Sequence, residues 1–321
     1  MADSKQAGMA MVIVIWVLSL LTIMAGSFAL TMRRETTVIS AVKDNAVALA
    51  IAETGIGFAQ QMLFLKDKNK RWRADGSLYH LKYQDADIRV RLLSEQGKID
   101  INKADEALLT AMMASIDIEP EQQQAIVSAI LDWRDKDDQM RVNGAEKEQY
   151  EDADLSYQPA NKDFQLIDEL QMVLGMSSDI YQQLKPLITV YSKQAKVNLQ
   201  VASKEVIQAI GGLEPETLDE YIVQRVENAK AQLPVPEYPA VGKNSKKNPT
   251  GKNAVYTIIS QAQLFGELAS GIKVTLKKSA KNGGNNPFEI LSWQQIDQKH
   301  SLFDDDMTQL LITEDEPENR H

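Results

Sequence analysis

One uncharged apolar stretch, Met9–Met32, dominates the beginning of the chain, and Arg33 and Arg34 follow it directly. As a helix, these 24 residues would be about 36 Å long, which is enough to cross a hydrocarbon core of roughly 30 Å. A helix in the core of a soluble domain normally has a polar face, and this stretch has none. The pattern therefore predicts that residues 9–32 form a membrane-spanning helix.

Three interpretations of this segment remain open. It is a secretory signal peptide if it is cut after small residues such as Ala25–Ser27 or Ser27–Ala29. It is a plain membrane anchor if it is not cut. If residues 1–8 are a leader that is removed between Gly8 and Met9, the apolar stretch becomes the start of the mature chain.

The helical pattern continues beyond the membrane segment, with apolar or small residues at steps of three and four. It predicts one helix from Met9 to about Leu65, interrupted at most near Gly55 and Gly57. A secreted enzyme does not need such a helix, whereas a subunit that packs its helix among other helices does, so the pattern favours the leader interpretation. A stalk that only spaces a domain from the membrane remains the alternative. The residues of this face are Val38, Val42, Asn45 or Ala46, Leu49, Ala52, Ile56, Ala59 and Leu63.

Short strands flank a helical block in the rest of the chain. Alternating apolar and polar residues predict one strand before the block and three after it. Within the block, Pro120 opens a helix with an apolar stripe, and two further helices follow. This order predicts an α+β fold in which an all-helical domain interrupts a sheet, with an acidic, frayed tail from Asp304. The predicted strands cover 87–93, 255–260, 272–277 and 288–293, and the two further helices cover 168–174 and 179–184. Residues 234–239, rich in proline, and residues 242–251, rich in lysine and asparagine, are predicted to form a solvated loop.

Two segments of the block, 98–111 and 196–209, have related sequences in which a short extended piece runs into a helix. Their pattern resembles helix-hairpin-helix modules, which bind DNA backbones through glycine-rich hairpins. The hairpin behind the first copy, residues 114–120, contains no glycine, and Glu214 and Glu216 follow the glycines of the second. Because backbone amides could not approach a phosphate at such acidic turns, we expect no nucleic-acid binding.

Composition narrows the classes of function. The chain of 321 residues carries a formal charge of −10, which argues against nucleic-acid binding because that affinity depends on neutralised phosphates. It contains no cysteine and three histidines, so disulfides, thiol catalysis, cysteine-bound metals and most histidine chemistry are excluded. The sequence contains no Gly-x-Ser-x-Gly elbow and no phosphate-binding loop. We therefore expect no catalytic residues and no enzymatic activity.

The most acidic part of the chain is residues 132–169, with 12 acidic and five basic residues. A run of charge normally forms a solvated loop, but the aromatic residues within this segment are anchors that a disordered loop would not need. Clustered carboxylates are the hard oxygen ligands that calcium prefers, although the spacing is not that of an EF-hand. The segment therefore predicts either a calcium site or a solvated surface. The candidate ligands are Asp132, Asp135, Asp137, Asp138 and Glu146.

Gly8 before a long apolar helix, with the alanine-rich continuation 46–55, resembles the signal and helix of type IV prepilin-like proteins. Most members of that class carry Glu as the fifth residue of the mature chain, where this sequence has Ile13. The family known for departing at that position is the general secretory pathway protein K family, the large minor pseudopilins of type II secretion. The resemblance to this family is most specific in residues 130–170 and extends over most of residues 8–212.

The resemblance implies a pilin-like long amino-terminal helix and a small antiparallel sheet, with a large inserted all-helical domain that binds calcium. It also implies cleavage after Gly8 by a prepilin peptidase, methylation of Met9, and assembly with the minor pseudopilins I and J. The helix would lie in the lipid of the inner membrane and the folded part in the periplasm, although Arg33 and Arg34 by themselves favour the opposite orientation. The expected divisions are 1–8 leader, 9–32 membrane span, 33–97 helix and first strands, 98–212 insert, 213–303 remaining strands and 304–321 acidic tail.

Ile13 predicts a special position in a filament. In a pilin-like bundle, the Glu found at this position pairs with the buried terminal amine of the neighbouring subunit, and an unpaired buried charge is costly. A subunit with Ile13 cannot provide that carboxylate, which is a disadvantage everywhere except at the tip, where no subunit lies above it. At the tip, a bulky inserted domain would also not clash with its neighbours. The alternative function is that of a periplasmic calcium-binding adhesion or scaffold domain on a plain membrane anchor.

Overall fold

The computed structural model describes residues 4–63, 65–83, 85–239, 254–264, 267–279, 287–296 and 301–313. Residues 242–251 of the predicted loop, the first three residues of the predicted leader and residues 314–321 of the predicted tail lie outside the described residues. In the described part of that loop, residues 234–239, the expectation of a solvated segment was wrong for Tyr238, which is buried and donates its hydroxyl to the carbonyl of Gly211 over 2.7 Å.

Helix α1, Ser4–Leu63, runs through the membrane segment without a break into the folded body. Its residues from Met9 to Val47 are exposed, and the face that includes Ala48, Ala52 and Ile56 is buried against the sheet. The single long helix predicted from the sequence is thereby confirmed. Gly55 does not interrupt the helix but lets it approach the sheet, because a Cβ at this position would overlap Ser260 Oγ.

A six-stranded sheet forms the centre of the folded body, with the strand order β7-β6-β5-β2-β1-β8. Its neighbouring strands are antiparallel, except that β8 runs parallel to β1. The sheet strands are β1 Asp75–Tyr83, β2 Ala86–Ser94, β5 Val255–Leu264, β6 Glu267–Lys278, β7 Phe288–Ile296 and β8 Leu311–Thr313, and a separate parallel pair consists of β3 Ile99–Asp100 and β4 Ile188–Thr189. The four strands expected from sequence alternation are all present.

The two faces of the sheet belong to different cores. Ile88, Val90 and Ile258 pack with the last turns of α1 on one face, whereas Leu78 and Ile259 on the other face contact the core of the inserted helices. The helices between β2 and β5 are α2 Glu106–Met113, α3 Pro120–Arg134, α4 Lys147–Asp152, α5 Ser178–Leu184, α6 Lys204–Ile210 and α7 Pro215–Lys230. This arrangement confirms the predicted α+β fold with inserted helices.

The structure differs from the sequence-based prediction in several places. Residues 167–172 form a 3₁₀ helix where an α-helix over 168–174 was expected. Helix α7 and strand β1 were not predicted. The expectation of a frayed tail from Asp304 was wrong up to residue 313, because Leu310 and Ile312 are buried and the chain forms a 3₁₀ turn followed by β8.

The two related corners of the insert meet in space. The backbone N–H of Asn198 donates to the carbonyl of Gln96 over 2.9 Å, and a Cβ at Gly97 would overlap the carbonyl of Val201. The chain therefore enters and leaves most of the insert at neighbouring points. We name this contact region the joint, defined by residues 96–98 and 198–202.

A buried ion pair holds helix α7 against strand β1 beside the joint. Arg225 Nη2 lies 2.9 Å from Asp75 Oδ2, and the same guanidinium donates to the carbonyl of Ala202 over 2.8 Å. The other oxygen of Asp75 accepts from both the N–H and the hydroxyl of Ser77. The Arg225 guanidinium, which is the nearest opposite charge, holds the pKa of the Asp75 carboxyl below its usual value despite its burial.

Candidate functional site

The predicted calcium ligands lie where helix α3 ends and the chain folds back to helix α4. Asp132 is on the last turn of α3 and fully buried, and its Oδ2 accepts from the backbone N–H of Ala145 over 2.9 Å. The hydroxyl of Ser128 donates to the carbonyl of Val142 over 3.0 Å and fastens the middle of the loop to α3. A Cβ at Gly144 would overlap Asp132 Oδ2, so glycine at this position permits the close return of the chain.

Arg141 is the cation that the chain itself places in this site. Its Nη1 lies 2.6 Å from Asp132 Oδ1 and also contacts Asp135 Oδ2. These hydrogen bonds, first to Asp135 and then to Asp132, raise the pKa of Arg141. Both oxygens of Asp132 are thus occupied by the loop, and its observed role is to anchor residues 141–145.

The remaining carboxylates are close enough to affect one another. Burial, followed by the negative charges of Asp132, Asp135, Asp138 and Asp137, raises the pKa of Glu146 to about 7. The structure therefore brings the five residues predicted from the sequence into one electrostatic neighbourhood. Arg141 contacts two of these carboxylates, and the charge of Arg134 also acts on Asp135.

Three buried oxygens in this neighbourhood accept no hydrogen bond. They are Asp135 Oδ1, Glu146 Oε1 and Asn161 Oδ1. Buried polar atoms in proteins normally have a partner, so orphaned oxygens indicate a place for a bound cation or water. Asn161 was not predicted from the sequence, and its amide nitrogen donates to Asp138 Oδ1 over 2.9 Å.

The donor atoms fit calcium in kind, because all are carboxylate or amide oxygens. Their arrangement is not that of a closed cage: in the described ranges, no group of three or more His, Cys, Asp or Glu side chains converges tightly enough to hold a metal ion. A cavity of about 460 Å³ opens beside the orphaned oxygens, and its lining includes Asp138, Glu146, Gln158 and Asn161. A cation bound here would therefore require the loop to close around it.

Four aromatic side chains within the acidic segment, residues 132–169, pack together in a cluster. The rings of Trp133 and Phe164 stack with centroids 6.0 Å apart, and Tyr150 and Tyr157 pack against the same indole. The predicted role of these aromatic residues as anchors is confirmed. Because Trp133 follows Asp132 directly on α3, the cluster fixes the position of the buried carboxylate.

The amino-terminal half of α1 is the second candidate site. Over Met9–Leu63 the described part of the chain contains one helix that is long and apolar enough to cross a membrane. Ile13 lies on this helix and is exposed, as are Val38 and Val42 of the predicted helix face. No other part of the described chain covers this half of α1, so its apolar surface is free for lipid or for other helices.

Comparisons with known proteins show which proteins this chain resembles. The family model described as "Type II secretion system (T2SS), protein K" matches residues 87–193. A protein named Type II secretion system protein K from Klebsiella pneumoniae is 23% identical over 238 residues, which are 67% of this chain and 72% of that protein. Its namesake from Dickeya chrysanthemi is 32% identical over 79 residues, 25% of this chain and 21% of that protein. The namesake from Pseudomonas aeruginosa is 27% identical over 139 residues, 40% and 41% of the two chains.

One solved structure is also similar. It is described as the crystal structure of the GspK-GspI-GspJ complex from the enterotoxigenic Escherichia coli type 2 secretion system. A chain of that complex matches with a TM-score of 0.49 and 17% sequence identity, and the match covers 83% of this chain and 99% of the other.

Proposed function

We propose that this chain, a relative of protein K of type II secretion systems as the sequence resemblance predicted, is a minor pseudopilin. The observation that carries the proposal is helix α1. Its last turns are buried against the sheet, while residues 9–47 are uncovered and include an uncharged apolar stretch. A plain anchor needs no rigid connection to the folded body, whereas a subunit of a helical bundle transmits its position through one continuous helix.

In this proposal, residues 1–8 are a leader that a prepilin peptidase removes, and Met9 is then methylated. Gly8 supports it, because a residue without a side chain directly precedes the uncharged stretch. The mature helix lies in the inner membrane and the sheet and insert lie in the periplasm. Proteins I and J, the minor pseudopilins named with protein K in the sequence resemblance, are the proposed partners of the exposed face of α1.

We further propose the tip of the pseudopilus as the place of this subunit. Ile13 supports it, since the side chain cannot neutralise the terminal amine of a neighbouring subunit. The size of the insert supports it as well: it contributes six helices, and their buried residues form most of a core separate from that of α1. A body of this kind fits the end of a filament better than a repeating lattice.

Calcium in the acidic segment is the third part of the proposal. The orphaned oxygens of Asp135, Glu146 and Asn161, together with the charges of Asp137 and Asp138, are the proposed ligand set. Bound calcium would supply positive charge to carboxylates that otherwise repel one another. Asp132 and Arg141 would keep the loop attached to α3 whether or not the ion is present.

The decisive experiment for the pseudopilin role combines processing with placement. Mass spectrometry of the full-length protein from membranes should show a mature chain that begins at a methylated Met9. Gly8→Val should block this cleavage, and Gly26→Ala, in which the new methyl meets no neighbouring atom, should not. A chain that begins at Met1 in cells with an active prepilin peptidase would support the plain-anchor alternative instead.

Placement is tested on isolated pseudopili. A gold label on the folded body should be found at one end of each filament. Labels distributed along the shaft would contradict the tip position while leaving the processing result intact. The two parts of the proposal are therefore separable.

A further inference from the structure

A positively charged groove lies where helix α1 ends and the chain enters β1. Its volume is about 420 Å³, and its lining includes Lys68, Arg71, Arg73 and Lys278 but no carboxylate. An adjoining depression of about 410 Å³ shares Arg71 and adds Lys70 and Lys230, again without a carboxylate. We name the two together the basic groove. Six cations in one place are unexpected in a chain with a net charge of −10.

Three of the six cations of the basic groove are available to a ligand. In the part of the chain that the structure describes, Lys68, Lys70 and Lys230 make no ion pair. The acid nearest to Arg73 along the chain is Asp75, which is already paired with Arg225. Arg73 itself donates to backbone carbonyls, and an arginine held in this way keeps its charge. The groove therefore presents a positive potential to solvent.

The walls of the basic groove are apolar and amide-bearing. Leu233 and Val235 line it and remain 50% and 39% exposed, so they offer apolar surface that this chain leaves uncovered. The side chains of Gln96, Asn198 and Gln200 also line it and provide hydrogen-bond donors and acceptors. Apolar walls, amides and fixed positive charge together are complementary to a peptide that carries carboxylates and one apolar side chain.

We propose that the basic groove binds an acidic peptide segment of a partner protein, with carboxylates near the cations and an apolar anchor beside Leu233. This surface lies outside the exposed half of α1 and goes beyond the role of that helix in filament assembly. A lipid headgroup is a poor occupant, because the 31 helical residues that follow Met32 and end at Leu63 place the groove about 46 Å from the end of the apolar stretch. A nucleic acid is disfavoured by the strongly negative charge of the chain as a whole.

The test uses the full chain in a neutral detergent and calorimetric titration with a short synthetic peptide of glutamates around one tryptophan. This peptide should bind, binding should weaken with salt, and the same peptide with glutamine in place of glutamate should bind at least about tenfold more weakly. The triple variant Lys68→Glu, Lys70→Glu and Lys230→Glu should lose binding. All three positions are exposed, so folding is not expected to change.

The matched control is Lys43→Glu, Lys82→Glu and Lys162→Glu, which changes the net charge equally at exposed sites outside the groove. It should retain binding, and Leu233→Ser should weaken binding without changing its salt dependence. Equal loss in both triple variants, or equal affinity for the glutamine peptide, would overturn the proposal. Full displacement by inorganic phosphate, or capture of the control and groove variants alike by phosphatidylglycerol vesicles in place of the peptide, would also overturn it.

Discussion

The ion pair beside the joint and the acidic segment show two opposite ways of burying charge. Arg225 and Asp75 are almost completely buried, and each charged group also makes hydrogen bonds to the backbone or to Ser77. Asp135 and Glu146 lie near other carboxylates, and each has one oxygen without a hydrogen-bond partner. In the first arrangement, the buried charges are paired within the chain. In the second, the unpaired oxygens gain a partner only when a proton or a cation binds. A buried charge therefore does not by itself indicate a binding site, whereas a buried carboxylate oxygen without a hydrogen-bond partner is a candidate ligand.

The largest effect is expected from breaking the complete pair. Arg225→Met leaves the Asp75 carboxylate buried without its cation and should lower the free energy of unfolding by about 3–5 kcal/mol. Urea unfolding of the full chain in neutral detergent measures this loss. The double variant Asp75→Asn with Arg225→Met should lose less, because no charge is left alone. The matched control Arg91→Met breaks the more exposed pair with Glu205 and should cost less than Arg225→Met. Equal losses in both single variants would show that burial of the pair is irrelevant.

Removing calcium is the next largest perturbation. An ion that binds only the folded state stabilises it by about 2.7 kcal/mol when its concentration is a hundred times the Kd. Chelation should therefore lower the Tm of the full chain, and Asp135→Ala with Asp137→Ala should abolish the sensitivity. Glu216→Ala with Glu220→Ala removes the same charge from exposed positions of α7 and should leave the sensitivity unchanged. An identical Tm with calcium and with chelator would reduce the acidic segment to a solvated surface.

The pH dependence of the calcium-free protein sharpens the same comparison. Because the pKa of Glu146 is raised from 4.5 to about 7, the folded state holds this proton more tightly than the unfolded chain does. Its contribution to stability is full below pH 4.5 and is lost as the pH rises to about 7, with a slope of at most about 1.4 kcal/mol per pH unit. Glu146→Gln should flatten the slope in this window, and the exposed control Glu148→Gln should retain it. A slope unchanged in Glu146→Gln would assign the pH dependence to other groups.

The smallest effect is expected at an exposed ion pair of the insert. Lys103 Nζ lies 2.9 Å from Asp163 Oδ2, and both side chains are well exposed to solvent. Solvent screens such pairs, so Lys103→Ala should change the free energy of unfolding by less than about 1 kcal/mol. Thermal unfolding at low and high salt checks this. A loss comparable to that of Arg225→Met would show that burial does not determine the cost of breaking these ion pairs.

Periodicity predicted elements in which apolar residues occupy most of the buried positions, although α3 also buries Asp132 and β5 also buries Thr257. Helix α1, helix α3 and the four strands at 87–93, 255–260, 272–277 and 288–293 were expected for this reason. Helix α7 was missed because its buried stripe contains Arg225, whose charge interrupts the apolar pattern. Strand β8 was missed because its three residues stand in an acidic context, and their burial depends on β1, which is more than 200 positions away.

The acidic site was predictable in part. Clustered carboxylates identified residues 132–146, because ligand chemistry can be read from residue types alone. The anchoring role of Asp132 was not predictable, since it depends on the return of Gly144 and Ala145 in three dimensions. Arg141 could have been noticed as a base within the acidic run. Asn161 lies in the region where the sequence resemblance is most specific, but nothing in the sequence indicated that its side chain would be a ligand.

The joint also has a consequence for the order of folding. Ser94 on β2 pairs with Tyr256 on β5, 162 positions further along the chain. Closing so long a loop in an unfolded chain is entropically unfavourable and slow. Once the insert has formed and Asn198 has bonded to Gln96, the ends of most of that loop are already neighbours. The loop that remains to be closed then contains only the residues between the joint and β5. We therefore expect the sheet to fold faster once the insert has formed.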